Sequence, residues 1–175
     1  MEYSFRTFAG ARDHISEQEK TRISKYTSKD VYRMSKEAEP SGVRYWQILT
    51  EATAVLFHHP NPIVRHEAAF VLGEFEYRDE FEKCASIRNL RIASRTDTSI
   101  VAKHEAIEAL GETFAPYSVG AAADMAKILR WPEHYHPDIV ATARGSFYNI
   151  LKYMRSRGYN DAVKELLRWK LGIDD

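Results

Sequence analysis

A chain of 175 residues, 44% hydrophobic and 29% charged, is long enough for one domain with its own core and too short for two ordinary ones. Lys plus Arg equals Asp plus Glu at 25 each, so there is no global positive field to attract a phosphate backbone, and nucleic acid is not expected as a partner. No run approaches the ~18–20 apolar residues of a membrane span, and "MEYSFRTFAGARDHISEQEK" has no signal-peptide core, so a cytoplasmic protein without membrane contact is expected.

Strand signals are scarce, with no alternating β-branched run and no Asn-Gly or Asp-Gly hairpin turn. Residues 1–40 read as an N-terminal helical arm, with helices over "HISEQEKTRISKY" and "SKDVYRMSKEAE", broken by Pro40, Ser41 and Gly42. From Val43 the chain runs in helical pairs. "VRYWQILTEATAVLFHH" turns at Pro60-Asn61-Pro62 into "IVRHEAAFVLGEF". "DEFEKCASIRNLRIAS" turns at Thr96-Asp97-Thr98 into "SIVAKHEAIEALGET". "YSVGAAADMAKILRW" turns through Pro132 and Pro137 into "DIVATARGSFYNILKYM". Each turn carries an Asp or Asn suited to cap the second helix.

Three helical pairs recurring at 38 or 39 residues predict an all-α chain, a HEAT-like α-solenoid of about three helical-hairpin repeats over 43–156. A helix over 159–172 closes it as a cap, and residues 1–175 form a single domain.

The His-Glu dipeptide occurs twice, at His66-Glu67 and His104-Glu105, 38 residues apart. At ~100° per residue, Val64, Ala68, Val71, Leu72 and Phe75 share one apolar stripe, and His66 points away from it with Phe70 and Gly73. The second copy has the same phase, with Ala102, Ala106, Ala109 and Leu110 in the stripe and His104 opposite. Solvated histidines need not repeat their phase. Equivalent helices of adjacent repeats stack ~8–10 Å apart, so both imidazoles can converge on one point, with a carboxylate from Glu67 or Glu105. Two histidines and one carboxylate suit non-haem iron, and zinc accepts the same ligands. In the third pair the corresponding positions are read as Ala143 and Arg144.

"RHEAAFVLGEF" and "KHEAIEALGET" resemble the paired His-Glu motifs of deoxyhypusine hydroxylase, a HEAT-repeat di-iron monooxygenase, in the Leu-Gly after each motif, the aromatic at Phe70 and the motif order. The likeness covers about residues 60–115 and amounts to one half of that family's four-motif arrangement. It implies iron ligands at His66, His104 and Glu105, with Glu67 beside them, holding a ligand in orientation or meeting a cationic substrate group. It also implies a homodimer that rebuilds a two-iron site about a two-fold axis, activating O₂ to hydroxylate a peptide, a protein side chain or a small molecule. The alternative is a non-catalytic helical-repeat scaffold that binds another protein.

Other residues have plainer readings. His58 and His59 end a helix, where its dipole favours them. His134 and His136 in "HYHPD" fall in a turn outside the repeated register. Cys84 is expected to be buried beside Ala85 and Ile87, and Glu74 and Glu112 to be solvated helix ends. Trp46, Trp131 and Trp169 are expected to anchor packing.

Overall fold

The structure is a computed structural model and describes residues 11–13, 15–37, 44–112 and 119–173. The predicted break at Pro40, Ser41 and Gly42, the first ten residues of the predicted arm, His14 and residues 113–118 lie outside the described residues. Among the described residues the secondary structure is all helical, with no strand. The helices are α1 (Glu17–Ile23), α2 (Ser28–Glu37), α3 (Tyr45–His58), α4 (Pro62–Glu74), α5 (Glu80–Thr96), α6 (Ile100–Glu112), α7 (Val119–Arg130), α8 (Pro137–Ser156) and α9 (Asn160–Leu171). A short 3₁₀ turn, Pro132–His134, leads into α8. No helix of the described residues is long and apolar enough to cross a membrane.

The helix starts follow from local chemistry. Asn61 accepts from the backbone N–H of Ile63 at 2.9 Å, and Pro62 occupies the first turn of α4, where no N–H is needed. Asp79 caps α5 through the N–H of Glu82 at 2.8 Å. Ser16 and Glu19 close a reciprocal capping box on α1. Each cap satisfies donors that the first helical turn leaves without partners.

Consecutive helices pair as α3 with α4, α5 with α6, and α7 with α8. The second members then pack edge to edge in one layer, α4 against α6 and α6 against α8. Of the described part of the predicted arm, α2 packs along α4 and extends that layer, and Ile23 and Val31 are fully buried in the common core. At the other end α9 packs on α7 and α8 through the buried Val163 and Leu166.

Ion pairs tie successive helical pairs together. Arg65 grips Asp97 with two hydrogen bonds, Nε to Oδ2 at 2.8 Å and Nη2 to Oδ1 at 2.9 Å, while its Nη1 donates to the carbonyl of His59 at 2.8 Å. Arg91 Nε repeats this one pair later with Asp124 at 2.7 Å. A buried polar knot sits under α3: Tyr45 Oη donates to Glu82 Oε2 at 2.7 Å, and Arg78 reaches Glu82 Oε1 at 2.7 and 3.0 Å. The Arg78 guanidinium also covers the rings of Tyr45 and Trp46, at 4.3 and 4.8 Å from their centroids. Trp46 and Trp169 pack on the core as expected, and Trp131 is half-buried beneath Arg130.

Cys84 departs from its expected place: it is exposed. The buried face of α5 runs through Glu82, Ser86, Asn89, Leu90 and Ala93, and Cys84 lies on the other side of the helix. Ala85 is only half-buried, so apolar sequence neighbours did not mark the inward face.

Candidate metal centre

On α4, Val64, Ala68, Val71 and Leu72 are buried, whereas His66, Glu67 and Phe70 are half-buried. On α6, Ala102, Ala106, Ala109 and Leu110 are buried and His104 is half-buried. The repeated phase therefore places both histidines at the boundary between core and solvent.

Across the α4–α6 contact, His66 Nε2 stands 3.1 Å from Glu105 Oε2. Glu105 is one of the few buried acids, only 8% exposed. Its hydrogen bond raises the His66 imidazole above the ordinary range against the opposing effect of burial, with smaller contributions from Glu105, Glu67 and Glu108 as charges. Burial raises the Glu67 carboxyl above the usual carboxylate range; His66 pulls it back and Glu105 pushes it further up.

His104 is held from two sides. Its Nδ1 lies 2.6 Å from Thr142 Oγ1 on α8, and its Nε2 lies 3.0 Å from Glu108 Oε2, one turn further along α6. The Thr142 hydroxyl is also 2.9 Å from the carbonyl of Asp138, which ties His104 to the first turns of α8. A neutral ring with its proton on Nε2 donates to Glu108 and accepts at Nδ1 from Thr142, whereas the opposite tautomer turns the Nε2 lone pair toward a metal ion.

One ligand atom from each of His104, Glu105 and Glu108 lies within 4.8 Å of the other two, the only such group of three among the described residues. Two ligands ~2.0–2.2 Å from one ion span at most ~4.4 Å, a little under the 4.8 Å that bounds this group. Nitrogen and carboxylate donors of this kind suit iron, zinc or manganese. Thr142 holds the His104 ring from its Nδ1 side.

The residues singled out from the sequence divide accordingly. His104 and Glu105 come together, joined by Glu108. His66 is outside the group of three and touches it through Glu105; Glu67 is also outside it. Glu108 carried a readable signal: it stands four residues after His104, where the first motif has Phe70 after His66. Thr142 carried a subtler one, the same 38-residue interval from His104 that separates His104 from His66. Of the positions read as the third register, Ala143 is buried in the core and Arg144 is exposed.

Next to the cluster, a cleft of about 150 Å³ is lined by Phe70, Gly73, Glu74, Glu105, Glu108 and Glu112, among others. Glu74 and Glu112 are exposed, as expected of helix ends, yet they border this acidic opening. Tyr32 of α2 stacks on Phe70 with ring centroids 6.3 Å apart and so extends its wall. The other histidines have local roles. Buried His59 accepts at Nδ1 from the N–H of Asn61 at 3.0 Å, and His136 Nδ1 accepts from the N–H of Asp138 at 3.3 Å. Comparison of the chain with family models, with curated proteins and with solved structures finds no match in any of the three.

Proposed function

We propose that the chain is a HEAT-like helical-repeat oxygenase that holds iron at His104, Glu105 and Glu108, with His66 completing the environment through Glu105. The observation that carries this reading is the convergence of His104, Glu105 and Glu108 to within 4.8 Å, with Nε2 of His104 oriented by Thr142. The paired motifs "RHEAAFVLGEF" and "KHEAIEALGET" supply the chemistry, through their likeness to one half of deoxyhypusine hydroxylase. Iron(II) with open coordination positions supplies O₂ chemistry at such a site. Hydroxylation of a C–H bond then places one oxygen atom in the product and the other in water, with two electrons taken from a reductant.

The protein's own groups have definite tasks in this scheme. Thr142 holds the His104 ring, and the α4–α6 contact places His66 on Glu105. Glu67, its carboxyl raised by burial, is suited to hold a proton next to His66. Glu74 and Glu112 border the entrance. Because the chain has two His-Glu motifs where the related enzymes have four, a two-fold homodimer is the proposed working unit, with one iron in each subunit.

A non-catalytic docking scaffold is the second reading, favoured by one observation. Each imidazole already has a carboxylate partner, His66 with Glu105 and His104 with Glu108, so a proton in each pair balances the site without a metal. Anaerobic loading with iron(II), followed by metal quantitation and mass measurement in solution, separates the two. The oxygenase reading requires one iron per chain, two per dimer, and loss of iron in His104→Ala and Glu105→Gln. A folded protein that takes up no metal, or that binds it equally well in those variants, leaves the scaffold.

A further inference from the structure

A cavity of about 490 Å³ opens between the end of α5, α6, α7 and the turn leading into α8, and neither His104 nor Glu105 lines it. Its floor is apolar: Ile107, Leu110, Met125, Ile128 and Ile139 are all buried and all contribute to it. Its rim carries positive charge. Lys103, Lys127 and Arg95 border it against one carboxylate, Asp124, which is already held by Arg91 at 2.7 Å and by Arg95 at 3.6 Å. Lys103 and Lys127 make no ion pair among the described residues. The "HYHPD" segment belongs here, because His134 and His136 line the same opening.

A volume of this size is typical of small-molecule sites, in which an apolar interior supplies most of the affinity and a few polar groups set the orientation. A neutral hydrocarbon would fill the floor and leave the two lysines unused. An amphipathic cation would meet them with like charge. An amphipathic anion satisfies both halves: its hydrocarbon body fills the apolar end of the cavity, and its charge gains two ammonium donors. Lysine ammonium groups act as point charges rather than as a planar fork, which suits a single carboxylate.

We infer that this cavity is a binding site for a small amphipathic carboxylate, with its hydrocarbon part on the isoleucine and methionine floor and its carboxylate between Lys103 and Lys127. The site is independent of the metal proposal. Methyl NMR of the full chain, titrated separately with octanoate, octanol and octylamine, tests it. Octanoate is expected to shift the Met125, Ile107, Ile128 and Ile139 methyl signals saturably and to bind most tightly of the three. The double variant Lys103→Gln with Lys127→Gln, both outside the core, is expected to weaken octanoate at least about tenfold while leaving octanol unchanged, as each lost charge-assisted bond implies. The ligand-free methyl spectrum of the variant checks that its fold is intact. Absent or non-saturating shifts at those methyls would overturn the assignment of the cavity. Octanol or octylamine binding as tightly as octanoate, or unchanged octanoate affinity in the double variant, would overturn the assignment of the charge.

Discussion

His104 Nδ1 and Thr142 Oγ1 share a hydrogen bond of 2.6 Å, joining the second His-Glu motif to a helix that contains no such motif. The bond fixes the ring orientation and presents Nε2 to Glu108. If a metal ion occupies this place, removing the hydroxyl frees the ring to rotate. Thr142→Val, which keeps the side-chain shape, is expected to lower metal affinity about 10–100-fold with little loss of stability. Thr142→Ser is expected to retain most of that affinity. Competition titration with a chromogenic chelator measures both, and equal affinity in the valine variant would remove Thr142 from the site.

Gly111 and Gly145 make a matched pair for testing how closely α6 and α8 approach. A Cβ built on Gly111 overlaps the Cα and Cβ of Ser146, so Gly111→Ala must push two backbones apart. The expected cost is about 1–3 kcal/mol, the usual range for overpacking. A Cβ on Gly145 meets nothing within 4 Å on the exposed side of α8. There alanine restricts the unfolded chain and improves helix propensity, for an expected gain of about 0.5–1 kcal/mol. Chemical denaturation of the two variants should give opposite signs. Destabilisation of similar size in both would mean that the α6–α8 contact is looser than described.

Much of this fold is written locally. Asn61 and Pro62 announce the start of α4, Asp79 that of α5 and Pro137 that of α8, because caps and prolines act on the residues beside them. The apolar stripe through Val64, Ala68, Val71 and Leu72 is equally readable, and it left His66 at the margin of the core. Contacts between helices left weaker traces. Thr142 looks like any helical threonine until α8 is laid against α6, and Arg65 gives no sign that Asp97, in a later turn, is its partner. Cys84 misled because burial of a cysteine is a statistical tendency, whereas the inward face of α5 is set by geometry. Glu108 was accessible in principle, since the i,i+4 relation to His104 needs only a helix.

Glu82 is a case in which an acidic residue suggested solvent and the fold buries it at 1% exposure. Its carboxylate accepts from the Tyr45 hydroxyl, from the Arg78 backbone N–H at 3.1 Å and from the Arg78 guanidinium. Glu82→Ala leaves the Tyr45 hydroxyl only its longer bond to the Glu76 carbonyl, at 3.2 Å, and removes the acceptor of the Arg78 backbone N–H, while the Arg78 side chain, already about a third exposed, can turn to water. The loss is therefore set by the neutral donors rather than by an abandoned buried charge. About 2–3 kcal/mol is expected, which for a domain of this size lowers the melting temperature by roughly 4–12 °C. A double-mutant cycle with Tyr45→Phe checks the attribution. Strict additivity would show that the Tyr45–Glu82 bond contributes nothing.

Tyr26 gives the fold an alkaline limit. Burial, then its hydrogen bond to Glu51, pushes its phenol up to about 12 from an ordinary 10.0, and Arg22, which shares Glu51, offsets only part of this. Burial first, then the bond to Glu82, raises Tyr45 as well, and burial raises Tyr77. A phenol with a folded pKa above its unfolded value favours the folded state in its protonated form. Its contribution is whole below the ordinary value and is lost as pH rises through the window from 10.0 to about 12. In a tyrosinate absorbance titration, Tyr26, Tyr45 and Tyr77 are expected to hold their protons above the ordinary tyrosine value of 10.0. Tyr26→Phe lacks one of these protons, so the stability difference between wild type and variant should shrink as pH climbs through that window. Ionisation of Tyr26 at the ordinary value of 10.0 would show that its contact with Glu51 does not persist in solution.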